Sequence, residues 1–152
     1  MTSWTDLHRL QQCAGQMKQL QERDLRDLAV RDVKLAAQRE ALARQCDAIT
    51  GLIESSRLSQ VQMSLSELQR SLRNGALLHQ QVRELGVQAG ALDEARDELA
   101  TQRERCEALR RRWCRKETKY TRMTQAWRKR ALQRAEQRET TEFEERLTWT
   151  PV

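Results

Sequence analysis

Between Arg110 and Arg130 the chain reads RRRWCRKETKYTRMTQAWRKR, with ten basic residues, one acid and three of the six aromatics of the whole sequence. Clustered guanidinium and ammonium groups on a helix are the footprint of contact with phosphates or with an acidic protein surface. Trp113, Tyr120 and Trp127 are spaced one heptad apart, which adds a packing stripe to that charge. Other chemistry finds little support. Cys13, Cys46, Cys106 and Cys114 show no C-x-x-C spacing, and His8 and His79 lie far apart, so no metal site is expected and the cysteines read as small reduced hydrophobes. With no Gly-rich phosphate loop and no Ser/His/Asp grouping, neither a catalytic residue nor a cofactor can be proposed, and the chain reads as non-enzymatic.

The elements that must carry this block follow from composition. Of 152 residues, 38% are hydrophobic, 33% are charged, five are Gly and one is Pro (Pro151), which suits long helices better than a broad core. No apolar run reaches the ~20 residues of a membrane span, and the start MTSWTDLHRLQQC lacks a signal-peptide core, so a cytoplasmic location is expected. Charge is uneven: residues 1–102 hold 13 Lys/Arg against 14 Asp/Glu, residues 103–138 hold 14 against 4, and residues 139–152 hold 1 against 4. The positive excess therefore sits in one block, followed by a short acidic tail.

A heptad stripe runs through Leu78, Leu85, Leu92, Leu99, Cys106, Trp113, Tyr120 and Trp127. Another runs through Leu7, Ala14, Gln21, Leu28, Leu35, Leu42 and Ile49. The second seam position is often charged, at Asp32, Arg39, Arg96, Arg103 and Arg110, so the seam is narrow and partly wet. These features predict an all-α fold, a long antiparallel two-helix coiled-coil hairpin with a short helix at the turn. As one domain it comprises helix one over about 3–54, a turn over 55–75 holding a short helix over about 63–73, helix two over 76–147 and a tail over 148–152. Short connections favour folding back, although the heptads leave a parallel homodimer open. The hairpin register sets Leu28 against Cys106, Ala14 against Tyr120 and Leu7 against Trp127, with Asp32 opposite Arg103 and Asp24 opposite Arg110. It also makes the isolated protein a monomer.

In the turn, Ser64 with Glu67 fits a capping box and Asn74-Gly75 fits a helix stop. Leu65, Leu68 and Leu72 form an i, i+3, i+7 stripe flanked by Leu58, Val61, Leu77 and Leu78. Either the short helix folds back as a cap, or this apolar surface is a contact for another protein. The basic block has two possible partners of its own, nucleic acid or an enclosing acidic protein ring, and a passive scaffold is a third reading.

Trp113, Arg115, Lys116, Glu117, Tyr120 and Arg122 compose a W-x-R-K-E-x-x-Y-x-R pattern before a basic stretch and a Glu-rich end. This quarter of the chain resembles the C-terminal helix of the type III secretion central-stalk family, the SctO group with its InvI-, YscO- and flagellar FliJ-type members. That resemblance implies a virulence-associated protein-transport component, cytoplasmic and peripheral to the inner-membrane secretion apparatus. It implies an antiparallel coiled coil standing in the hexameric secretion ATPase and linking it to the cytoplasmic ring of the export gate, with export chaperones as further partners and no nucleic acid. On this basis Trp113, Arg115, Lys116, Glu117, Tyr120, Arg122, Trp127, Arg128, Lys129 and Arg130 would bind the ATPase. Leu58, Val61, Leu65, Leu68 and Leu72 would bind the gate.

Overall fold

A computed structural model describes residues 3–57 and 62–149. Two long helices packed against each other account for them: α1 (Trp4–Ser55) and α2 (Leu65–Thr148). Both begin at serine caps. The Ser3 N–H donates to the Asp6 carboxylate at 3.2 Å, while the first turn closes through Asp6 N–H to the Ser3 carbonyl at 3.0 Å. At α2 the box is reciprocal: Ser64 N–H reaches Glu67 Oε2 at 2.9 Å, and Glu67 N–H reaches Ser64 Oγ at 3.3 Å. Those Ser64 bonds, backbone first and hydroxyl second, hold the Glu67 carboxyl below its ordinary pKa.

The turn differs from its sequence reading. α2 starts at Leu65 and continues unbroken through Asn74 and Gly75, so the expected separate helix over 63–73 is the opening of the long helix. The physical reason is cooperativity. Extending a formed helix through one weak position costs only about 1 kcal/mol, whereas a stop requires Gly75 to leave the helical basin. Leu65, Leu68 and Leu72 are all exposed, and no fold-back cap covers them among the described residues. Leu58 and Val61 lie outside the described residues.

The chain divides into two units, each a pair of helical segments. The first comprises residues 3–24 and 106–149. Its buried positions are Leu7, Ala14 and Gln21, three successive heptad positions of α1, together with Thr124 of α2. A Cβ built on Gly15 would lie 3.4 Å from Glu117 Oε1, so the side chains of α2 press close at this level. The second unit covers 25–105. Leu28 is buried there, whereas Leu35, Leu42, Ile49, Leu85, Leu92 and Leu99 are half-buried. Charged pairs flank this strip: Arg96 Nε donates to Asp32 Oδ1 at 2.9 Å, and Arg39 Nε to Asp93 Oδ1 at 3.1 Å. The sequence register set Asp32 opposite Arg103; the bond the structure shows is the one from Arg96, and among the described residues Asp24 forms no salt bridge with Arg110. Asp32 feels both arginines: the Arg96 bond is the main cause of its lowered pKa, and Arg103 adds attraction from further away.

The continuity of α2 yields a test whose sign is decisive. Gly75 is helical, and a Cβ there would meet nothing within 4 Å. Gly75→Ala is therefore expected to raise stability by up to about 1 kcal/mol in urea unfolding followed by circular dichroism. A helix stop at this position would instead make the same change destabilising.

Candidate protein-binding surfaces

The basic segment belongs to the first unit, where each side chain takes its role from its side of α2. Trp113 and Tyr120 are half-buried. Trp127 remains 44% exposed, because α1 begins at Trp4 and the Trp4 ring, 6.4 Å away between centroids, is the ring that reaches it. Trp4 in turn stacks on His8 at 5.4 Å with the planes 4° apart. The end of the helix pair is thus closed by a small aromatic cluster.

Polar layers sit behind it. The Gln11 amide donates to Thr121 Oγ1 at 3.1 Å, while the hydroxyls of Thr121 and Thr124 bond back to the carbonyls of Glu117 and Tyr120. Lys18 Nζ lies 2.7 Å from Glu117 Oε2, and this bond holds the Lys18 pKa above its ordinary value. Glu117, which the motif placed among the partner-binding residues, is thus engaged within the helix pair. Lys116 is also locally committed, with its ammonium 4.4 Å above the Trp113 ring. Gln21 is buried, and its Oε1 has no hydrogen-bond partner among the described residues.

The outward side is different in kind. Arg111, Arg115, Lys119 and Arg122 share one face of α2 and line a shallow groove with Cys114, Thr118 and Met123. Arg115, Arg122, Arg128, Lys129 and Arg130 are exposed and form no ion pair among the described residues. Of the ten motif-derived ATPase contacts, these five present unspent charge, Trp127 presents part of a ring, and Trp113, Lys116, Glu117 and Tyr120 are half-buried. Three of the five gate candidates are described, and Leu65, Leu68 and Leu72 are 73%, 40% and 65% exposed.

Sequence reasoning missed Lys18, Gln11 and Trp4. Lys18 and Gln11 flank the α1 stripe, and their partners are visible only once the register is known. Trp4 stands one helical turn before Leu7, a spacing the sequence does offer.

The family model described as the Salmonella surface presentation of antigen gene type M protein matches residues 5–147. The chain belongs to that family. It is a type III secretion stalk family of structural, non-catalytic proteins. No curated protein and no solved structure matches the chain. Membership agrees with the helix pair, and with the finding that no helix of the described residues is long and apolar enough to cross a membrane. Among the described residues no three His, Cys, Asp or Glu side chains cluster so as to hold a metal ion.

The buried amide of Gln21 generates a test of the helix pair in this family member. An unsatisfied buried acceptor costs about 1–3 kcal/mol, and the position lies on the apolar stripe. Gln21→Leu is expected to stabilise the chain by an amount in that range, read as a higher urea midpoint at unchanged helicity. A lower midpoint would mean that the amide has a stabilising partner.

Proposed function

We propose that this protein is the non-enzymatic central stalk of its secretion system, standing in the hexameric secretion ATPase and linking it to the cytoplasmic ring of the export gate. The site of action is cytoplasmic, peripheral to the inner membrane, and export chaperones are further partners. The observation that supports the ATPase assignment is the exposed charge of Arg115, Arg122, Arg128, Lys129 and Arg130, without ion pairs among the described residues, on a helix that also carries the half-buried Trp113 and Tyr120. An enclosing acidic ring suits such a surface, because complementary charge on a pre-formed helix sets register and encounter rate. For the gate, support comes from Leu65, Leu68 and Leu72, which form an apolar stripe at the start of α2 with no cover among the described residues.

Replacing Arg128, Lys129 and Arg130 together by Glu is expected to abolish capture by the purified hexameric ATPase at unchanged helicity. Wild-type protein should show little affinity for DNA or RNA at physiological salt. Trp127→Ala should weaken ATPase capture with every charge retained, and lower stability by roughly half of the ~3–5 kcal/mol typical of a fully buried ring. Undiminished capture by both variants would remove the ATPase assignment. Wild-type affinity for duplex DNA that falls by ~0.9 log units per log unit of salt for each phosphate contacted would replace it with nucleic-acid binding.

The gate contact is tested separately by Leu68→Asp with Leu72→Asp. This variant should lose binding to the gate's cytoplasmic ring while ATPase capture and circular dichroism stay at wild-type levels. Retained gate binding would place that contact elsewhere on the chain.

A further inference from the structure

We propose that α2 beyond Trp127 is a contact surface for a second copy of this chain, laid antiparallel. Trp4 meets Trp127 and α1 begins at Trp4; from Arg128 to Arg146 every residue but the half-buried Ala131 is exposed. That stretch is about five turns of helix. Leu132 and Phe143, eleven residues and so about three turns apart, lie on one face, and each is 65% exposed.

Charge selects the occupant. Residues 128–138 hold five Lys/Arg and one Glu, and residues 139–146 hold four Glu and one Arg. Two copies side by side in parallel would set basic half on basic half and acidic half on acidic half. An antiparallel overlap sets basic half on acidic half twice. Centred between Gln137 and Arg138, it brings Leu132 of each copy level with Phe143 of the other, and Arg130 level with Glu145. The arrangement is two-fold symmetric and closes at two copies. Glu136 and Glu139 come level near the centre and repel, and the apolar area is small. The association is therefore weak, on the order of tens of micromolar. This goes beyond the stalk reading and departs from the monomer expected of the hairpin alone. Because Arg128 to Arg130 belong to both surfaces, self-association and ATPase capture exclude one another.

The test is sedimentation velocity on the full chain from about 1 to about 100 μM, a range that brackets such an affinity, at low and high salt. Two variants accompany the wild type, Arg134→Glu with Arg138→Glu and Glu142→Arg with Glu145→Arg. All four positions are exposed and lie outside the residues proposed for the ATPase. The wild type should move from monomer mass toward twice that mass with concentration, and salt should reverse the shift. Each variant alone should remain a monomer at wild-type helicity, and an equimolar mixture should recover the dimer. A wild type that stays monomeric throughout overturns the proposal. So does a dimer unaffected by salt, and so does a mixture of normally helical variants that fails to pair.

Discussion

Each helix of this protein can offer its partner only one strip of residues, so whatever stands on that strip decides what the rest of the surface is free to do. In the first unit the strip is Leu7, Ala14 and Gln21, and only the first two are apolar. Specificity in such a seam comes from directional bonds: Gln11 with Thr121, Lys18 with Glu117. A single polar seam position can fix register at a cost in stability, and here several share that task. With Glu117 committed to Lys18 and Lys116 to the Trp113 ring, Arg115 and Arg122 stay exposed with no ion pair among the described residues.

The two units handle polar groups differently. In the second, Asp32 with Arg96 and Arg39 with Asp93 are partly exposed pairs flanking half-buried leucines, and each contributes little on its own. They can re-form with neighbouring charges when the strip shifts, since Arg103 already attracts Asp32 from a distance. In the first, Ala14 and the buried hydroxyl of Thr124 leave less room for exchange. The family's secretion role is compatible with both behaviours within one pair of helices.

Much of the fold was legible because a repeat of seven over many turns has few other solutions; the stripes from Leu7 and from Leu78 announce themselves. Asn74-Gly75 misled because a two-residue stop signal was weighed against nothing, while the flanking leucines and the Ser64 cap commit the backbone to helix from Leu65 onward. The Asp32 partner misled for another reason. Asp32 lies between the levels of Arg96 and Arg103, both candidates are arginines, and heptad spacing does not rank the two. Within the basic segment, the common face of Arg111, Arg115 and Arg122 follows from spacing alone. The inward capture of Glu117 does not, because Lys18 lies 99 residues away in sequence.

Those sequence distances also govern how the molecule assembles in time. Arg39 and Asp93 are 54 residues apart, Lys18 and Glu117 are 99, and Gln11 and Thr124 are 113. Loop closure becomes only about 0.6 kcal/mol harder per doubling of length, so entropy alone barely ranks these steps. Once the shorter loops have closed, however, each further pair adds just a few residues of new loop, which favours pairing in order of sequence separation. On the ribosome the order of manufacture runs the other way. Leu7 and Ala14 emerge before α2 and have no partner until residues beyond 120 follow, which at ~5–20 residues per second is about 5–20 s of exposure. The stretch of α1 that packs against residues beyond 120 is thus made well before its partner and is among the last to pair.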